Sequence, residues 1–285
     1  TTGASVGYLT EAANTVGAQL VNAMPGQGGL NAGQMLSGGL KALFLLNTEP
    51  EFDSAAGAQA RVLGEAKGMV VTLSPFKANL ELSDVLLPIA PWTETPGTFV
   101  NAEGRVQGFH AVVKPLGDTR PAWKVLRVLG NLLGVAGFDY DSSEEVLKDA
   151  LPGANVESHL NNRLAAPVIG KVDAAGTCIE RIGEVPIYQA DAIVRRAASL
   201  QKTHDAAAPV AAMHGDLYTQ LKLRDGDQVR ITQGGGFTVL AAARDDKLPA
   251  NCVRVAAAHP LTAQLGGATG AITVERVEAQ QKVAV

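Results

Sequence analysis

A chain of 285 residues with 46% hydrophobic residues has enough apolar material for one large domain or two compact ones, each with a buried interior. Its 24 Lys and Arg are spread against 28 Asp and Glu, a formal charge of −4 with no basic stripe, which excludes neutralising a nucleic-acid backbone as its task. The most apolar long stretch, Val125 to Phe138, is interrupted by Arg127 and Asn131 and is shorter than the roughly 20 apolar residues of a spanning helix, so no direct membrane insertion is expected. The opening residues Thr1-Thr2-Gly3-Ala4 show no initiator Met, basic region or apolar signal core, and the chain is expected to begin inside a longer protein.

In chain order, Leu9 to Leu20 has helical apolar spacing, and a glycine-rich loop follows at Pro25 to Gly33. Leu40 to Leu46 is short and almost continuously apolar, the pattern of a strand buried on both faces, with a polar loop Asn47-Thr48-Glu49-Pro50 at its carboxyl end. Ala-rich Ser54 to Glu65, with Asp53 before it, predicts a helix, and Met69 to Leu73 and Ser83 to Pro88 predict two further strands. This order predicts a parallel α/β layer over residues 1–111.

Residues 112–208 read as a helical and irregular connecting region. Asp118-Thr119-Arg120-Pro121 starts a helix with Trp123, Leu126, Leu129, Leu132 and Leu133 on one face, and Ser142-Ser143-Glu144-Glu145 predicts a capping box opening a second helix through Leu151. Pro152 to Gly176 predicts a long connection, and Ala190 to Gln201 fits either a helix or an extended crossing. Residues 209–285 predict a small β-barrel: a short helix at Leu217 to Leu223, a turn at Arg224 to Asp227, then strands at Gln228 to Thr232, Phe237 to Ala242, Cys252 to Ala256 and Ala271 to Val277.

Chemistry-bearing motifs are scarce. The two cysteines, Cys178 and Cys252, are too few to hold an iron–sulfur cluster, which takes about four thiolates or a Cys/His set, and they are expected to be buried free thiols. Gly26-Gln27-Gly28-Gly29-Leu30-Asn31-Ala32-Gly33 misses both established phosphate-loop spacings: it is not G-x-G-x-x-G, and Gly39 stands where a Lys should follow Gly38. A loop requiring positive φ explains it. His110, His159, His204, His214 and His259 have no metal-ligand spacing, and no serine sits in a nucleophile elbow. Asp225/Asp227 and Asp245-Asp246 fall in predicted turns, where capping and solvation account for them. No catalytic, cofactor-binding or metal residue is therefore assigned.

A longer pattern carries a resemblance. Ser83-Asp84-Val85-Leu86-Leu87-Pro88, continuing through Thr98-Phe99-Val100-Asn101-Ala102-Glu103-Gly104-Arg105-Val106-Gln107, resembles a signature of molybdopterin oxidoreductases, and Lys41 to Pro50 resembles that superfamily's strand with its terminal loop. Met213 to Ile231 resembles the entry to its carboxyl-terminal pterin-binding barrel. Lys114 to Leu132 is similar to the large iron–sulfur subunit of bacterial NADH:quinone oxidoreductase (complex I), and Asn14 to Ala18 and Asp191 to Arg196 point the same way. The resemblance implies a Rossmann-like layer followed by a double-psi β-barrel, with Asn101, Glu103 and Arg105 knitting loops together.

In that family the clusters lie in an amino-terminal region and the molybdopterin-like region carries no molybdenum cofactor. The implied role is a cofactor-free scaffold that binds no small-molecule substrate. Its implied partners are the other peripheral-arm subunits, on the cytoplasmic face of the bacterial inner membrane. The alternative implied by the same motifs is the pterin-binding part of a molybdenum or tungsten oxidoreductase such as a formate dehydrogenase.

Overall fold

The computed structural model describes residues 10, 12–36, 38–54, 68–152, 156–158 and 178–277. They divide into two compact units: Thr1–Asn31, Val71–Ala78 and Val85–Lys171 in the first, Ala32–Val70, Asn79–Asp84 and Val172–Val285 in the second. A three-stranded sheet has the order β1 (Ala42–Leu46), β2 (Met69–Ser74) and β3 (Val85–Pro88). The pair β2 and β3 is parallel, running from Val71 opposite Val85 to Ser74 opposite Pro88. That is the expected α/β layer.

In the first unit, α1 (Thr15–Leu20) is shorter than the expected Leu9 to Leu20. The side chain of Asn14, just ahead of it, accepts a hydrogen bond from Val100 N at 2.8 Å and so ties α1 to β4 (Gly97–Val100). A Cβ at Gly17 would collide with that same Asn14 side chain, so only glycine lets the bond form. β4 pairs antiparallel with β5 (Val106–Phe109), and the rings of Phe99 and Phe109 meet edge to face with centroids 5.2 Å apart. Gly97 lies opposite Phe109 and leaves that ring its space.

The two helices expected in residues 112–208 are present. Pro121 caps the longer one, Ala122–Leu132, without a side-chain hydrogen bond. The other, Ser143–Ala150, opens on the predicted box: Ser142 Oγ accepts from Glu145 N at 3.2 Å, and Glu145 Oε2 accepts from Asp141 N at 2.7 Å. The apolar face of the longer helix is only partly covered, since Leu132 and Leu133 are 80% and 70% exposed.

The second unit holds the barrel, closed in the order β10, β6, β11, β8, β9, β7. Its strands are β6 (Ile179–Ile182), β7 (Ala211–Met213), β8 (Gln228–Gln233), β9 (Gly236–Arg244), β10 (Cys252–Arg254) and β11 (Thr269–Arg276). Along β8 the apolar Val229 and Ile231 point inward, and with Met213, Val253, Val255 and Leu265 they form a fully buried core. Burying side chains of this size stabilises by about 1.5–3 kcal/mol each.

Four expectations need correction. The sequence puts the barrel's start at 209, yet β6 comes from residues 179–182. It is a four-residue strand whose ladder partners are the distant β10 and β11. Nothing local announces it. Strand β1 is not buried on both faces: Leu45 is buried, but Phe44 and Leu46 are 42% and 43% exposed. A continuous apolar run reads the same whether one face is covered or two. Cys178 and Cys252 are free thiols as expected, but Cys178 is exposed and Cys252 only half-buried. Both stand at strand ends, just before β6 and at the start of β10.

The fourth concerns Ala190 to Gln201, which is neither one helix nor an extended crossing. It is a four-residue helix, Ala192–Arg195, followed by a 3-10 turn, Leu200–Lys202. Of the predicted helix Ser54 to Glu65, residues 55 onward lie outside the described residues, as does most of Pro152 to Gly176.

The barrel carries a titratable cap. His259 Nδ1 accepts from Leu261 N at 3.1 Å, closing the turn Pro260–Thr262, and partial burial pushes its pKa below the ordinary histidine value. The depressed folded pKa favours the neutral ring, so its contribution is complete above the unfolded value near about 6.5 and fades as pH falls through the folded value. The unfolding midpoint of the chain should therefore drop between about pH 7.5 and about pH 5. The variant His259→Asn keeps an acceptor that does not titrate and should shrink that drop in a pH series of thermal melts.

Candidate functional site

In parallel α/β sheets, ligands bind beyond the carboxyl ends of the strands. Here the loops following β1 and β2 are joined: Asn79 Nδ2 donates to Thr48 O at 2.9 Å. Asn47 and Asn79 both adopt left-handed conformations, φ 50° and 57°, which asparagine tolerates better than most residues. Pro50 opens a short helix, Pro50–Asp53, and Asp53 Oδ2 accepts from Glu49 N at 2.7 Å and from the Thr48 hydroxyl at 3.4 Å. Two carboxylates, Glu49 and Asp53, are thus fixed at this end of β1.

Opposite them stands the Ala192–Arg195 turn. Asp191 caps it by accepting from Ile193 N and Val194 N at 2.8 and 3.0 Å. Gln201 Nε2 holds the segment by donating to Tyr188 O and Val194 O at 2.9 and 2.8 Å. These bonds present two guanidiniums. Arg195 Nη1 and Nη2 both donate to Asp53 Oδ1 at 2.9 Å, and Nη2 lies 3.6 Å from Glu49 Oε2. Arg196 Nη1 donates to Glu49 Oε1 at 2.7 Å. The Arg195 guanidinium also lies over the Phe52 ring, 5.3 Å from its centroid.

The side chains of Arg195 and Glu49 are 6% and 9% exposed. Arg195 and Glu49 thus form a buried pair, and Asp53 and Arg196, at 26% and 36% exposure, complete the neutralisation at its margin. The arrangement presents no free cation to an anion and no nucleophile paired with a base. Its chemistry is that of a clasp.

Asn101, Glu103 and Arg105, expected to knit loops together, lie in the turn between β4 and β5. Asn101 Oδ1 accepts from Glu103 N and Arg105 N at 3.1 and 2.9 Å, so the asparagine staples its own turn. Glu103 and Arg105 take part through backbone N–H groups, and both residues are exposed. The glycine-rich loop places Gly28 at φ 78°, the positive φ expected of it. Asp245 and Asp246 serve structure: Asp245 pairs with Arg254 at 2.8 Å, and Asp246 pairs with Arg244 at 2.9 Å while accepting from Gly215 N at 3.0 Å. The Arg244 guanidinium holds the Asp246 carboxyl below the ordinary range.

Sequence reasoning missed Arg181. This residue is 3% exposed inside the barrel, where it donates to the carbonyls of Val255, Ala256 and Gly267 at 3.3, 2.6 and 3.2 Å and to Gln233 Oε1 at 3.0 Å. Desolvation lowers its pKa to about 10, which leaves it charged at neutral pH. The available signal was slight: one Arg in the short run Ile-Glu-Arg-Ile, where Glu180 beside it reads as an ordinary solvated partner.

Comparison with known proteins agrees with the site's setting. Residues 2–132 match the family model described as molybdopterin oxidoreductase. "Probable oxidoreductase YjgC" of Bacillus subtilis (strain 168) is 30% identical over 132 residues, 45% of this chain and 13% of the relative. "Putative formate dehydrogenase YrhE" of the same strain is 31% identical over 129 residues, 44% of this chain and 13% of the relative. The chain thus spans only a small part of the length of these curated relatives. Among solved structures, acetylene hydratase from Pelobacter acetylenicus superposes with a TM-score of 0.54 at 16% identity, over 84% of this chain and 44% of that one. Residues 2–132 are therefore similar to molybdopterin oxidoreductases, and the α/β layer with its barrel is the fold of that structural neighbour.

Arg195→Ala would leave Glu49 and Asp53 without their shared cation. Breaking a buried pair in this way costs about 3–5 kcal/mol. Denaturant unfolding should show that loss, with Arg195→Lys intermediate because a single ammonium cannot reproduce the guanidinium's several directed bonds.

Proposed function

We propose that this chain is a cofactor-free scaffold within the large iron–sulfur subunit of a bacterial NADH:quinone oxidoreductase. Its partners would be other peripheral-arm subunits on the cytoplasmic face of the inner membrane. The observation that carries this reading is the clasp at the end of β1. A pterin dinucleotide brings a pyrophosphate, which needs N–H donors or uncommitted cations around it. The carboxyl end of β1 instead offers the carboxylates of Glu49 and Asp53, with both arginines already bound to them. These residues do not fit the anion, and they do fit a loop held rigid for its own sake. The similarity of Lys114 to Leu132 and of Asp191 to Arg196 to the complex I subunit supports the same reading, and Asp191, Arg195 and Arg196 are the residues that build the clasp.

A second reading is favoured by the names of the relatives. They include "Probable oxidoreductase YjgC" and "Putative formate dehydrogenase YrhE", and on this reading the chain would belong to a molybdenum or tungsten enzyme.

The full-length parent, purified from its own host, separates the two. We expect iron without molybdenum or tungsten by elemental analysis, and no pterin fluorescence after oxidation. Stoichiometric molybdenum or tungsten together with pterin would overturn the scaffold reading.

A further inference from the structure

We draw no further inference here: the strongest candidate, the exposed apolar surface of Val112, Val113 and Leu116 on the loop after β5, carries nothing because nothing in the structure shows what covers it.

Discussion

Everything at the carboxyl end of β1 depends on four charges that cancel. Asp53 and Glu49 meet Arg195 and Arg196 across 142 and 147 residues of sequence, and the two buried charges, Glu49 and Arg195, are tolerable only because opposite charge lies beside them. A lone carboxylate at 9% side-chain exposure would face a desolvation cost of several kcal/mol. The quartet need not be more stable than apolar residues of the same volume would be. Its consequence is directional: guanidinium and carboxylate bond in few geometries, so the β1 loop and the Ala192–Arg195 turn can pack in only one register. A greasy contact would hold them as firmly and place them less definitely.

The barrel solves a related problem by different means. Among the described residues Arg181 has no carboxylate opposite it; its charge is balanced by carbonyl dipoles on the strand ends and by Gln233. Those carbonyls belong to two segments, Val255-Ala256 and Gly266-Gly267, and the guanidinium brings them to one point. Small residues surround it because backbone must approach closely: a Cβ at Gly183 would run into the backbone of Ala268. One unit thus uses a compensated quartet at a strand-end crevice and an uncompensated cation in a β core, and in both the work is positional.

The parts of this architecture legible in the sequence are those whose signal is local. The Ser142 capping box, the alternation of Gln228 to Gln233 and the strands Met69 to Ser74 and Val85 to Pro88 announce themselves within a few residues. What stayed hidden is held by distant partners. β6 exists because Cys252–Arg254 and Thr269–Ile272 flank it, and no window around Ile179 shows that. The clasp was half visible: the polar loop at Asn47–Pro50 and the segment Asp191 to Arg196 each stood out, but their meeting is a tertiary fact. One-sided burial of β1 was illegible for another reason, since Ala-Leu-Phe-Leu-Leu has no polar residue to mark the open face.

The fold alone does not settle what the crevice does, because one α/β layer can hold an anion or exclude one with the same strands in the same order. The sign of the charge at the strand ends decides. Where backbone N–H groups and uncommitted cations face the crevice, a pyrophosphate is stabilised; where two carboxylates have already taken the arginines, the same anion would have to break buried ion pairs before it gained anything. At β1 the second situation holds.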